Sequence, residues 1–439
     1  MSDKIEKLNL FDVTNIIVGT VLGTGIFITL SLTGSLVGPS SLVVWLIAGI
    51  IALIIALSFN YCVMVLPKSG GPYAFAQDTF SSLGAFMVGW SFLLFGWLSL
   101  VAITLAFLQY FEALVPDIGF LAGVGVMVSL VVFAVVTNLM GVKVTGRVIN
   151  VLSLAKIVPF ALLVVGGAIY LLGEPERMMS NFTPFLTGSA INFGEAVVVA
   201  FWAYTGFELA TLPAGEVEEP TRTIPRAIII GMLVVASFYF FINLVVFGAL
   251  GGAGVSDAGN PLAEASKVIF AWSPELAWLM ALLVGIGALL AIACSEETEL
   301  LGASRLARVL AEEGMMPRAL AKLSVRSGVP WVSIVLLATT ALAATFLGGL
   351  ESIINASVFM LAFVYLMTCL TAAIFFAQGR ACAKATRFGG TMPVLGVAFS
   401  LLIMTYVNPP DILLAALLMA VGGLAYILVS RRYSLSGRT

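Results

Sequence analysis

Apolar segments about 20 residues long recur along the whole chain, and this recurrence restricts its fold more than any other feature. A helix needs a run of about that length to cross the ~30 Å hydrocarbon core of a bilayer. Of the 439 residues, 61% are hydrophobic and only 10% are charged, which is more apolar surface than a soluble core can bury. We therefore predict an all-α integral membrane protein with a single polytopic domain over residues 1–439. Twelve spans are predicted, at residues 12–32, 42–66, 84–111, 118–140, 147–172, 190–212, 226–250, 275–305, 330–348, 352–377, 390–407 and 411–430.

Basic residues indicate how these spans are oriented. Threading the twelve spans places 18 of the 21 Lys and Arg residues on one side of the membrane. Because Lys and Arg accumulate in cytoplasmic loops, this bias predicts that both termini are cytoplasmic. Adding or removing one span would destroy the bias, so it also supports the count of twelve. The expected location is the cell membrane, as a multi-pass protein embedded in the lipid bilayer.

Lys156 is the one charged residue in the apolar segment 148–172. Nine residues of helix, about 13 Å, separate it from Arg147 at the cytoplasmic end, so it lies near the bilayer midplane. An ammonium group at that depth costs at least ~2.5–3.5 kcal/mol, so other groups must stabilise or titrate it. Two interpretations follow: a structural ion pair between helices, or a coupling group in a substrate or ion pathway.

Composition argues against several functional classes. The chain has no histidine, and its four cysteines are scattered without metal-ligand spacing, so we expect no metal site, disulfide framework or cofactor. A net charge of −2 gives no indication of nucleic-acid binding. A membrane-embedded enzyme would need a nucleophile–base or metal constellation, and a channel a filter or continuous polar stripe. Neither pattern is present, and proton chemistry within the membrane falls to Lys156, a carboxylate or water.

Two spans carry signs of an interrupted helix. In span 1, Gly23 and Gly25 flank Thr24 near the centre of the segment. In span 6, Gly206 follows the polar Thr205, with aromatic residues around it. At such an interruption, backbone groups leave the helical ladder and face a cavity. Paired interruptions in corresponding spans of two halves are typical of the substrate site of a secondary transporter.

Six sequence motifs resemble the amino acid–polyamine–organocation superfamily of secondary transporters. They are GTGIF (23–27), PKSGGPYAF (67–75), GVKVTGRVINVLSLAK (141–156), FWAYTGFE (201–208), AGEVEEPTRTIPRAI (214–228) and LGASRLARVLAEEGMMP (301–317). They cover spans 1 to 9 in the family's order, whereas spans 11 and 12 carry nothing diagnostic. The resemblance implies a LeuT-type fold with discontinuous helices 1 and 6. Two inverted five-helix repeats, at 1–173 and 185–378, would be followed by two further helices at 388–430.

The resemblance also implies a substrate site for an amino acid or related amine. The span 1 backbone would receive the substrate carboxylate, and span 6 carbonyl groups would receive its α-ammonium. Trp202 and Tyr204 would form the wall of the pocket or a gate. The implied substrate-binding residues are Gly23, Thr24, Gly25, Ile26, Phe201, Trp202, Ala203, Tyr204 and Gly206.

In proton-coupled members of this superfamily, a span 5 lysine occupies the place of a bound sodium ion, and Lys156 matches that position. The implied function is a secondary active transporter of amino acids, working by proton-coupled symport with Lys156 as the protonatable group. The alternative is an exchanger of amino acids or polyamines that does not use protons. In that alternative, Lys156 is a fixed structural cation. Which amine is carried and the oligomeric state do not follow from the sequence.

Acidic residues in span 8 depart from the family pattern. Glu296, Glu297 and Glu299 lie at nearly the depth of Lys156, and 296 and 299 share a helix face while 297 points away. Either of these two can select a cationic side chain, pair with Lys156 or share a proton with it, or belong to a structural cluster. Pairing with Lys156 would leave a pocket for neutral amino acids, and we favour that expectation. Glu208, just after the span 6 interruption, is expected to sense protonation or contact substrate.

Overall fold

The computed structural model describes residues 7–347, 349–380 and 390–436. The first eight α-helices are α1 (Leu10–Val21), α2 (Thr24–Val37), α3 (Ser41–Val65), α4 (Pro72–Thr79), α5 (Ser82–Leu114), α6 (Phe120–Met140), α7 (Val142–Gly173) and α8 (Pro175–Asn181). The remaining eight are α9 (Ala190–Trp202), α10 (Pro220–Asp257), α11 (Pro261–Ile269), α12 (Pro274–Glu312), α13 (Trp331–Ala344), α14 (Leu350–Ala377), α15 (Thr391–Thr405) and α16 (Pro409–Ser436). Short 3₁₀ helices occur at Gly38–Ser40, Phe207–Thr211, Ala214–Glu216 and Arg318–Ala321.

The predicted all-helical membrane architecture is confirmed for the described residues. Ten helical segments there are long and apolar enough to cross a membrane, and α13 and α15 are shorter apolar helices at predicted spans 9 and 11. At 14 and 15 residues, α13 and α15 are only about 21–23 Å long. The count of twelve crossings therefore stays a prediction, and residues 388 and 389 of the predicted C-terminal unit lie outside the described residues.

The helices form a buried centre and a periphery. Along α5, 78% of the most apolar window is buried, and 71% is buried in the segment Leu10–Phe27, compared with 17% in Pro409–Ile427. Helix α5 packs against α12 and α14, and α10 packs against α1 and α3. Large apolar side chains on α6 and α7, such as Val132, Val158 and Ile169, are exposed and suit contact with lipid. The interrupted helix thus lies at the centre of the molecule.

Several helices are longer than the spans that the apolar pattern predicts. Helix α10 has 38 residues and α12 has 39, because polar residues end the hydrophobic run without ending the helix. Within α10, Gly251 has φ 72° and produces a kink. The short helices α4, α8 and α11 lie in connecting segments, where no membrane span is expected.

Candidate functional site

Span 1 is interrupted between α1 and α2. Helix α1 ends at Val21, Leu22 and Gly23 are not helical, and α2 begins at Thr24. The first N–H groups of α2, as of any helix, have no intrahelical acceptor. Gly23, at the N-cap position, offers no side chain that could accept from them. These groups carry the partial positive charge of a helix amino terminus, which suits an anion such as a carboxylate. The side chain of Thr24 lies outside the part of the chain described.

Span 6 is interrupted after α9. The helix ends at Trp202, a turn leads to Gly206, and a 3₁₀ helix continues from Phe207. Gly206 has φ +114°, a conformation that glycine adopts without steric cost. A Cβ atom at this position would also lie 2.6 Å from Cγ2 of Thr20 on α1. The interruptions predicted from the glycines of spans 1 and 6 are therefore both present.

The two interruptions contact each other directly at Gly25 and Ala203. A Cβ atom on Gly25 would lie 2.7 Å from the Cβ atom of Ala203 and would overlap its Cα atom. Real Cβ atoms do not approach backbone atoms so closely, so only glycine fits here without a shift of one helix. Span 1 and span 6 thus form one continuous backbone surface at the centre of the protein.

The carbonyl groups at the carboxyl end of α1 are bonded by side chains from three other helices. Lys156 of α7 donates to the Gly19 carbonyl at 2.6 Å, and Ser295 of α12 donates to the Thr20 carbonyl at 3.4 Å. The Tyr239 hydroxyl of α10 lies within bonding distance of the Val21 carbonyl and 2.9 Å from the Ala203 carbonyl. These contacts satisfy carbonyl groups that the end of α1 leaves without intrahelical donors, and Tyr239 links the two interruptions.

Lys156 is fully buried on α7, and its ammonium group faces α1. The absence of a side chain at Gly19 allows this close approach, because a Cβ atom there would lie 2.6 Å from Oγ of Ser153. Among the described residues, no carboxylate forms an ion pair with Lys156. The pairing with Glu296 or Glu299 that we favoured from the sequence is therefore wrong for this structure, since α12 directs these two side chains toward α5.

A cavity of about 40 Å³ lies between the two interruptions and helices α5 and α12. Its wall includes backbone from both interruptions and three polar side chains: Gly25, Ala203, Gly206, Ser99, Ser295 and Glu299. That volume has room for only a few water molecules, since one water needs roughly 10–15 Å³ of cavity. An amino acid can therefore occupy the cavity only after the surrounding helices move apart.

Trp202 separates this central cavity from a second cavity of about 190 Å³. The indole lines both cavities and is almost completely buried. The second cavity is also lined by Glu195 of α9, Asn355 of α14 and Tyr406 after α15. The indole of Trp202 is therefore a shared wall of the two cavities.

Glu208 stabilises the span 6 interruption in this structure. Its two carboxyl oxygens accept hydrogen bonds from the Gly206 N–H at 3.1 and 3.0 Å. The Tyr365 hydroxyl of α14 donates to the same carboxyl group at 2.7 Å. Glu208 is fully buried and does not line the central cavity, so its contacts are with the backbone turn and with α14.

The three glutamates of α12 face two different helices, as the helical spacing predicts. Glu297 accepts a hydrogen bond from Thr137 and another from Asn138 at 2.8 Å, both on α6. Glu296 lies beside Thr104 of α5, although the Thr104 hydroxyl makes no hydrogen bond of ordinary geometry. Glu299 also faces α5 and lines the central cavity. Glu299 is therefore the one of the three that borders this cavity.

The structure brings only some of the predicted site residues to the cavity. Those that line it are Gly25, Trp202, Ala203, Gly206 and Glu299. Those that are buried near it without lining it are Gly23, Ile26, Phe201, Tyr204, Glu208, Glu296 and Lys156. Tyr204 turns away because its hydroxyl donates to the Trp45 carbonyl at 3.0 Å, and the Phe201 ring packs against Tyr365. In this structure, Tyr204 therefore does not form a wall of the central cavity.

Several polar residues at the site, Thr20 at the cavity wall among them, are not identified by sequence reasoning. Ser99 and Ser295 line the cavity, and Tyr239 and Tyr365 bond the interruptions. Ser295 directly precedes the acidic cluster, so its polar neighbours are a signal that can lead to it. Serine and tyrosine are otherwise common in membrane helices, and nothing in the sequence distinguishes Ser99, Tyr239 or Tyr365 from their neighbours.

Comparison with known proteins places this geometry in a family. The amino acid permease family matches residues 8–425 of the chain. The serine/threonine exchanger SteT of Bacillus subtilis is 25% identical over 412 residues, covering 91% of this chain and 90% of that protein. The branched-chain amino acid permease BcaP of Bacillus subtilis is 24% identical, covering 75% of this chain and 72% of that protein. The human cystine/glutamate transporter is 28% identical, covering 80% and 70%.

The names of these relatives are those of permeases, exchangers and transporters, in agreement with the expectation of a transporter rather than an enzyme. The family match extends over nearly all of the described residues and includes both interrupted helices. The chain is a multi-pass membrane protein that belongs to the amino acid permease family, within the amino acid–polyamine–organocation superfamily.

Proposed function

We propose that this protein is a proton-coupled amino acid symporter in which Lys156 is the protonatable group. The single observation that carries the proposal is the 2.6 Å contact between the Lys156 ammonium and the Gly19 carbonyl. That carbonyl belongs to the end of a half-helix whose interruption lines the central cavity. A change at Lys156 can therefore reach the substrate site through one piece of backbone.

The coupling argument depends on the charge of Lys156. A charged ammonium makes a hydrogen bond roughly twice as strong as a neutral donor and is attracted to the partially negative carboxyl end of α1. When the proton leaves, the amine keeps only a neutral bond to Gly19, and the end of α1 becomes easier to move. Because Gly25 contacts Ala203, movement at the span 1 interruption also acts on span 6. Proton binding and substrate binding would thus favour the same backbone arrangement.

The proposed substrate pose uses the two half-helix ends. The substrate carboxylate would accept hydrogen bonds from the first N–H groups of α2, at Thr24, Gly25 and Ile26, next to Gly23. The α-ammonium would donate to carbonyl groups at the end of α9, from Phe201 to Ala203. Trp202 would open to admit substrate from the second cavity and close over it.

The membrane arrangement is part of the proposal. The protein would cross the plasma membrane twelve times, with both termini in the cytoplasm. Two inverted repeats, at 1–173 and 185–378, would be followed by two further helices. Interruptions in corresponding spans of the two repeats support this division. Protease protection of tags at each end, in sealed vesicles of known orientation, tests it. Accessibility of the two ends from opposite sides would contradict an even number of crossings.

An exchange mechanism is the second candidate, and it is favoured by the name of one relative, a serine/threonine exchanger. In that case Lys156 would keep its proton and act as a fixed cation on the end of α1. Reconstituted protein in sealed liposomes separates the two mechanisms. A symporter accumulates labelled amino acid in empty liposomes when an inward proton gradient is applied. An exchanger requires unlabelled amino acid inside, and the proton gradient alone has no effect.

A further inference from the structure

Glu299 is a buried carboxyl group without a bonding partner that borders the central cavity. Only 4% of its surface is exposed, and its Oε1 atom makes no hydrogen bond with the described residues. Ser99, one helical turn beyond Gly96 on α5, lines the same cavity, and its hydroxyl also lacks a partner there. The absence of a side chain on Gly96 allows α5 to approach α12 closely at this point. A Cβ atom on Gly96 would lie 2.8 Å from Oε1 of Glu299. Two polar groups with unused bonding capacity thus border one cavity.

The acids around Glu299 have no counter-ion among the described residues. Glu296 lies near it on the same face of α12 and also has a carboxyl oxygen without a partner. Glu208 is close enough to interact with Glu299 electrostatically, but its own oxygens are bonded by Gly206 and Tyr365. Among the described residues, none of these three acids forms an ion pair. Lys156 cannot compensate them, since its ammonium is bonded to the end of α1.

A buried carboxylate of this kind is costly unless it takes up a proton or a cation or several donors reach it. The protein uses its buried lysine elsewhere, so a substrate cation is the group that can stabilise an ionised Glu299. The amino acid head group, in the proposed pose, is held by backbone of spans 1 and 6. The opposite wall of the cavity, formed by α5 and α12, is left to receive the rest of the substrate.

We propose that Glu299, assisted by Ser99, is the specificity-determining site for a second cationic group of the substrate. The preferred substrates would be amino acids with an ammonium or guanidinium side chain, or diamines of similar length. This inference rests on the proposed function, since it assumes that the central cavity is the substrate site. It reverses the preference for neutral amino acids that followed from pairing the acids with Lys156.

The test is substrate binding to purified full-length protein in detergent, without any gradient. Lysine, ornithine, arginine and putrescine are compared with alanine, serine and leucine by isothermal titration. For the unmodified protein we expect the cationic compounds to bind at least tenfold more tightly than the neutral ones. Glu299→Gln removes the charge at nearly constant shape and should weaken cationic binding at least tenfold, while neutral amino acids change by less than about threefold.

Glu297→Gln is the matched control, because that glutamate is bonded to α6 and faces away from the cavity. It should leave the cationic preference intact. If Glu299→Gln proves unstable, Glu299→Asp is the second variant. It keeps the charge on a shorter side chain and should retain part of the preference for cationic compounds. Unchanged binding of lysine to Glu299→Gln, or tighter binding of neutral amino acids to the unmodified protein, would overturn the inference. This binding experiment uses no gradient and is therefore independent of proton coupling. If uptake proves not to depend on a proton gradient, the proposed mechanism is wrong, but a measured preference of Glu299 for cationic substrates still holds.

Discussion

The ammonium group of Lys156 lies 2.6 Å from the carbonyl oxygen of Gly19, at the point where the first half-helix ends. This contact joins α7 to the interruption that lines the central cavity, without an intervening carboxylate among the described residues. The charge on Lys156 is therefore balanced by backbone dipoles rather than by an acid. Removing the proton or the side chain acts first on α1.

Gly25→Ala should abolish substrate binding. The added Cβ atom would overlap backbone of Ala203 and push the two interruptions apart, at the place where the substrate head group is proposed to bind. Gly125→Ala on α6 is the control, because nothing lies within 4 Å of a Cβ atom there. Binding is measured by isothermal titration on protein that elutes as a single folded species. Unchanged affinity in a folded Gly25→Ala protein would remove span 1 from the site.

The interruptions at Gly23 to Gly25 and at Gly206 could be predicted from sequence, because glycines stand next to a threonine within corresponding apolar spans of the two halves. The depth of Lys156 in the bilayer stays a prediction from helical rise, whereas the structure shows that the residue is buried within the protein. The partner of Lys156 was not predictable. Whether α12 turns Glu299 toward α7 or toward α5 depends on how the helix is rotated against its neighbours, and residues three apart share a face whichever way that face points.

Residues that bond the interruptions from other helices were equally hard to find. Tyr239 lies in a run of aromatic residues on α10, and the sequence does not indicate which one faces the interruptions. In the structure, its hydroxyl is the one that reaches Ala203. Tyr365 similarly contacts Glu208 from α14, which is 157 residues away in the chain. Contacts of this range are set by packing, whereas apolar periodicity reports only on each helix by itself.

Trp202→Ala should join the two cavities and accelerate substrate release. The indole is a wall of both cavities, and its removal leaves a side chain too small to separate them. We expect the dissociation rate of bound substrate to rise at least tenfold, with Trp202→Phe nearer to the unmodified protein. Stopped-flow chase with unlabelled substrate measures this rate. A dissociation rate unchanged in Trp202→Ala would mean that another group controls exit.

Tyr365→Phe should destabilise the protein by about 1–3 kcal/mol, since it leaves a buried carboxyl group with one donor fewer. Tyr61→Phe is the control, because the Tyr61 hydroxyl is buried and has no partner among the described residues. Thermal unfolding in detergent compares the two variants. A double-mutant cycle with Glu208→Gln then isolates the contact, and additive effects would show that Tyr365 does not act through Glu208.

The most direct test of the central claim is uptake of labelled amino acid into empty proteoliposomes driven only by an inward proton gradient. The unmodified protein should concentrate substrate, whereas Lys156→Ala should still bind substrate, with lower affinity, and fail to concentrate it, because the group that carries the proton is gone. Lys267→Ala, which removes an exposed lysine paired with Glu264, should behave as the unmodified protein does. Accumulation by Lys156→Ala in response to the proton gradient alone would contradict the assignment of Lys156 as the coupling group.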